Sequence, residues 1–163
     1  MLHTFNGRDG ASPLSSLVFD GAGNLYGTTA LGGDLSVCPS GGGNGCGVVF
    51  QLTPNASGSW TENVLRRFTG ADGREPHGSV VMDAARNLYG TTIRGGNSCD
   101  CGIVFKLSPK TEGGWTETGL SRFLDHPGDH PVAGLTLDAT GDLFGTTQGD
   151  LSTTFGSVFE LMP

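Results

Sequence analysis

The chain has 163 residues, 29 of them glycine, with a formal net charge of −7 at pH 7 and only 15 % charged residues. This is one domain's worth of sequence; the low charge excludes a charge-rich disordered chain, the glycine spacing excludes a collagen helix, and no apolar run reaches the ~20 residues of a membrane helix. The acidic balance speaks against nucleic acid and anionic membrane as partners, and it suits a cation or a neutral ligand.

No basic-then-apolar leader opens the chain, so no signal peptide is read in it. The first predicted strand, a, is the alternating run Leu17–Phe19, closed by the turn DGAGN at Asp20. Strand b is NLYGTT, Asn24–Thr29. A glycine-rich loop with Cys38 and Cys46 leads to strand c, Val49–Leu52 in GVVFQLTP, and strand d is SWTENVLRRF, ending at Phe68. The order then restarts with Val80–Met82, Asn87–Thr92, Val104–Leu107 and GWTETGLSRF, ending at Phe123. A third round gives Leu135–Leu137, DLFGTT at Asp142–Thr147 and Val158–Leu161. The opening MLHTF aligns with the end of strand d. Phe5, Phe68 and Phe123 mark equivalent points, 63 and 55 residues apart. No window keeps a helical period.

Repeats of four short strands predict an all-β fold, a β-propeller of four-stranded blades with three blades per chain. Residues 1–163 form a single repeat domain, with units about 6–68, 69–123 and 124–163 plus 1–5. Three blades are too few to close a ring and leave open sheet edges. Closure by oligomerisation is therefore expected: a homodimer making a six-bladed ring, strand c near Phe159 pairing with Leu2–Phe5 of its partner. A larger ring and a piece of a longer array are the alternatives.

The pattern D-x-x-G-N-L-Y-G-T-T, G-x-V-F-x-L-x-P, G-W-T-E and F-x-G-x-D-G-x-x-P resembles the GloVer (Gloeobacter–Verrucomicrobia) tandem repeat of bacterial proteins, many of them predicted to be exported. The resemblance covers nearly the whole chain and implies a propeller-like fold, without a settled activity. The third copy departs from it, with DHPGDHP in place of the G-x-D-G loop and Asp142 in place of asparagine.

The loops between strands d and a carry the candidate chemistry. Asp9, Asp72, Asp125 and Asp129 are hard oxygen ligands suited to calcium, with zinc the weaker candidate. His126 and His130 could take a proton from water, and Glu75 and His77 could contact a small neutral substrate. By analogy with propellers that hold a cation in the axial mouth, these residues suggest a calcium-assisted hydrolase of small lactones or esters. The alternative is a non-catalytic glycan-binding or surface-display module, in which Trp60 and Trp115 would be sugar platforms unless they simply pack blades. Cys38, Cys46, Cys99 and Cys101 allow three pairings. Cys38–Cys46 closes a short loop easily, Cys99–Cys101 makes a tight ring, and cross-loop pairs or a four-thiolate zinc site are possible. Disulfides point to an extracytoplasmic home, periplasmic or secreted.

Overall fold

The computed structural model describes residues 1–38, 44–96, 98–124, 130–149 and 155–163. Among the described residues there are eleven strands and no helix. Sheet 1 is the meander β1 (Val18–Phe19), β2 (Leu25–Thr29), β3 (Val48–Pro54) and β4 (Trp60–Arg67). Sheet 2 repeats it with β5 (Val81–Met82), β6 (Leu88–Thr92), β7 (Ile103–Pro109) and β8 (Trp115–Arg122). Sheet 3 has β9 (Thr136–Leu137), β10 (Leu143–Thr147) and β11 (Ser157–Leu161). All pairings between these strands are antiparallel, with an irregularity between Val49 and Phe50 that recurs between Val104 and Phe105.

The sequence motifs explain this regularity. Asp20 Oδ1 accepts the N–H groups of Ala22 and Asn24, and Oδ2 accepts the Asn24 amide at 2.8 Å and the Tyr26 hydroxyl at 3.1 Å. Asp83 does the same with Asn87 and Tyr89. One carboxylate thus closes the hairpin and sets the register of the strand behind it. Burial alone would raise the Asp20 carboxyl, but the bonds from Asn24, Ala22 and Tyr26 outweigh it and bring the pKa down to about 2. The glycine of each G-T-T is roofed by the strand-c phenylalanine. A Cβ on Gly90 would lie 2.5 Å from Phe105 Cζ, and one on Gly145 2.4 Å from Phe159 Cζ.

Successive sheets pack face to face. Phe5, Phe68 and Phe123 each enter the sheet that follows and meet its strand-c ring, Phe50, Phe105 or Phe159, edge-on at 5.0–5.2 Å. Tyr26, Val49, Phe68, Val80 and Phe105 share one buried cluster between sheets 1 and 2. Tyr89, Val104, Leu135 and Leu143 form the corresponding cluster between sheets 2 and 3. Trp115 packs edge-on to Tyr26 at 6.3 Å, joining sheet 2 to sheet 1, and Trp60 packs against the Leu25–Phe50 cluster.

Two hydrogen bonds recur at both junctions. The Glu75 N–H donates to Cys46 O and the His130 N–H to Cys101 O, at 2.9 and 3.0 Å. The Thr28 hydroxyl donates to Gly78 O and that of Thr91 to Ala133 O, at 3.1 and 3.0 Å. Ser12, Glu75 and His130, the residues before Pro13, Pro76 and Pro131, all have left-handed backbones with φ near 57°. That conformation lets each of them also accept a bond from the end of strand b, from Ala30, Ile93 and Gln148 N–H respectively.

Candidate functional site

Asp9 and Asp72 occupy the same place in two repeats. Asp9 Oδ1 accepts the Asn6 N–H, and Asp72 Oδ1 accepts the Thr69 N–H and hydroxyl. Each aspartate therefore holds the first turn after a strand-d phenylalanine. Both lie beside the fourth-strand edge of the sheets, where Glu62 of β4 and Glu117 of β8 meet them. Each aspartate stands beside strand d, because the turn it caps begins directly where that strand ends.

Each aspartate is thereby paired with a glutamate from the strand-d motif W-T-E and with a residue just before the phenylalanine. In the second interval this residue is Arg66. Its guanidinium bonds Asp72 Oδ2 and lies 2.7 Å from Glu117 Oε2. Burial is the main force on Glu117, whose side chain is 9 % exposed, and Asp72 adds to it; together they outweigh Arg66 and push the carboxyl up to about 7. In the first interval His3 stands where Arg66 does, with Nε2 3.2 Å from Asp9 Oδ2. Ligand atoms of His3, Asp9 and Glu62 all lie within 4.8 Å of one another. Burial raises the Glu62 carboxyl, Asp9 adds to that, and His3 and Arg67 oppose it.

The remaining expected site residues are dispersed. Glu75 pairs with Arg74 at 2.5 Å and with Arg94 at 3.5 Å, and Asp100 bonds Arg74 and the Gly95 N–H, so the four charges make a network beside the second cysteine loop. The His77 imidazole is held below its usual range by burial, which the nearby Glu75 only partly offsets. His130 serves the second junction through its backbone. Asp125, His126 and Asp129 lie outside the described residues. The cysteines pair as Cys38–Cys46 and Cys99–Cys101, with Cα atoms 5.6 and 5.3 Å apart.

His3, Glu62 and Glu117 were missed in the sequence. The available signal was the repeat itself: W-T-E recurs in the first two copies, and His3 aligns with Arg66. No curated protein matches the sequence. The Gloeobacter/Verrucomicrobia repeat matches residues 1–163. The same unit recurs along the chain as Asp-capped hairpin, phenylalanine-roofed G-T-T strand and W-T-E strand, and the chain belongs to the Gloeobacter/Verrucomicrobia repeat family.

Proposed function

We propose that the chain is an assembly module, a three-bladed arc of a β-propeller that joins a second copy head to tail into a six-bladed ring in an oxidising compartment outside the cytoplasm. One observation carries this reading: the two open faces hold the two halves of the junction that the chain already makes twice. On sheet 3, Val158 is 79 % exposed, whereas its equivalents Val49 and Val104 are 0 % exposed. On sheet 1, Leu17 is 46 % exposed, whereas its equivalents Val80 and Leu135 are 0 % and 6 % exposed. Phe19 and Phe155 add apolar surface to these two faces. The recurring junction bonds have their counterparts here too. Ser12 N–H and Ser15 O hold the equivalent positions on the first face, and Phe155 O and the Thr146 hydroxyl hold them on the last. A copy docked as sheet 2 docks on sheet 1 would complete both bonds and bury Val158 against Leu17. The two disulfides support an oxidising compartment.

The other readings have less support. Asp9 and Asp72, both needed as calcium ligands by a lactone or ester hydrolase, are grouped separately, Asp9 with Glu62 and Asp72 with Glu117. Trp115, needed as a glycan platform by a display module, packs against Tyr26. Light scattering on the purified chain at micromolar concentration tests the assembly. The expected mass is twice the 16.8 kDa of one chain. Val158→Asp, which alters a side chain exposed within the chain, is expected to give a folded monomer. A monodisperse monomer of the unaltered chain would refute the reading.

A further inference from the structure

The two carboxylate pairs beside strand d differ in what neutralises them. In the second interval Asp72 and Glu117 share the guanidinium of Arg66. In the first interval the same position is held by His3, beside Asp9 and Glu62. An imidazole can donate a lone pair to a metal ion and a guanidinium cannot, so the first interval holds a ligand where the second holds a fixed cation. Two atoms there are also left without hydrogen bonds although shielded from solvent: Glu62 Oε1 and His3 Nε2. The imidazole nitrogen stands 3.2 Å from Asp9 Oδ2, outside hydrogen-bond geometry. Arg66 Nε in the second interval is a third such atom, so what sets the first interval apart is its donor set: an imidazole and two carboxylates with ligand atoms within 4.8 Å of one another.

We infer that His3, Asp9 and Glu62 form a binding site for one divalent transition-metal ion, with zinc the best-matched. The separations fit. Two ligand atoms on a tetrahedral zinc, each about 2.0 Å from the metal, stand about 3.3 Å apart, close to the His3–Asp9 distance. Small movements of the Glu62 side chain bring the third donor into range, since all three ligand atoms already lie within 4.8 Å of one another. One imidazole and two carboxylates suit zinc better than calcium, which takes 6–8 oxygens. Asp9 Oδ2 also accepts the Asn6 side-chain amide, which orients it and leaves it a lone pair to donate. Three protein ligands leave the fourth position for water. The metal does in the first interval what Arg66 does in the second: it offsets two carboxylates and ties the loop before sheet 1 to strand d.

The experiment is calorimetric titration of the oxidised full-length chain with zinc chloride, backed by the visible absorption of a cobalt(II) complex. One ion per chain and tetrahedral cobalt bands are expected. Glu62→Gln and His3→Ala should each weaken binding by more than the roughly 10–100-fold typical of losing a group that only supports a ligand. Glu117→Gln should leave binding unchanged. Arg66→His, which gives the second interval the same donor set, should raise the stoichiometry to two. Absence of binding at millimolar zinc, or binding that survives both Glu62→Gln and His3→Ala, overturns the site. The outcome does not depend on the oligomeric state.

Discussion

Glu62 and Glu117 show how one sequence position acquires two characters. Both follow tryptophan and threonine on strand d, and both are half or more buried beside an aspartate. Glu117 is the more deeply placed, and its raised pKa has a consequence for stability. Its folded-state value of about 7 stands above the ordinary 4.5, so between these values the folded chain holds a proton that the unfolded chain has released. Stability therefore falls as pH rises through that window, by roughly 3 kcal/mol in total, and levels off above it. The raised Glu62 carboxyl acts in the same sense, and the lowered His77 imidazole acts in the opposite one. Glu117→Gln isolates the contribution. In urea unfolding at pH 5 and pH 8, the unaltered chain should lose stability between the two values, and the variant should lose distinctly less. An unchanged difference would remove Glu117 from the account. At the same scale, Asp20 needs no such qualification: its depressed pKa keeps it ionised down to about 2, so the hairpin it caps stays closed in mild acid.

The loops between the second and third strands are where the elements differ most. The first is held by Cys38–Cys46, which spans a sequence separation of 8. Closing so short a loop restricts the unfolded chain by about 2–3 kcal/mol. The double variant Cys38→Ser, Cys46→Ser should lose about that much in urea unfolding. Thiol titration of the denatured, unreduced chain should detect no free cysteine, and four reactive thiols would contradict the pairing. The strands themselves were legible from residues 17 to 161 because alternation and glycine punctuation are local signals. Val18–Phe19, Val81–Met82 and Thr136–Leu137 fall within the runs read as strand a, each one residue shorter at its start. The carboxylate pairs were not legible in the same way. Asp9 meets Glu62, and Asp72 meets Glu117, only once a whole meander has folded back beside the loop that precedes it. Glu75 and His130 stood out as chemistry because their side chains are ionisable. Their shared backbone with Ser12 gives the position a structural duty that residue type does not disclose.

For the whole molecule, the organising fact is that among the described residues the sheets pack in sequence, sheet 1 on sheet 2 and sheet 2 on sheet 3. Such a chain behaves as a short row of coupled units, each steadied by its neighbours. Sheet 2 has two neighbours, and sheets 1 and 3 have one each. A lone chain should fray from its ends. Backbone amides of Leu88–Thr92 and of Ile103–Pro109, the proline excepted, should exchange with deuterium most slowly, and those of Leu25–Thr29 and Leu143–Thr147 sooner. Joining the outer faces to a second copy would give every sheet two neighbours, and the gradient would flatten. Retention of a steep gradient in a particle of doubled mass would mean the copies meet elsewhere. A closed ring has no outermost member, so it can open only by breaking a junction in its interior, and its loss of structure becomes a single event instead of a progressive unzipping.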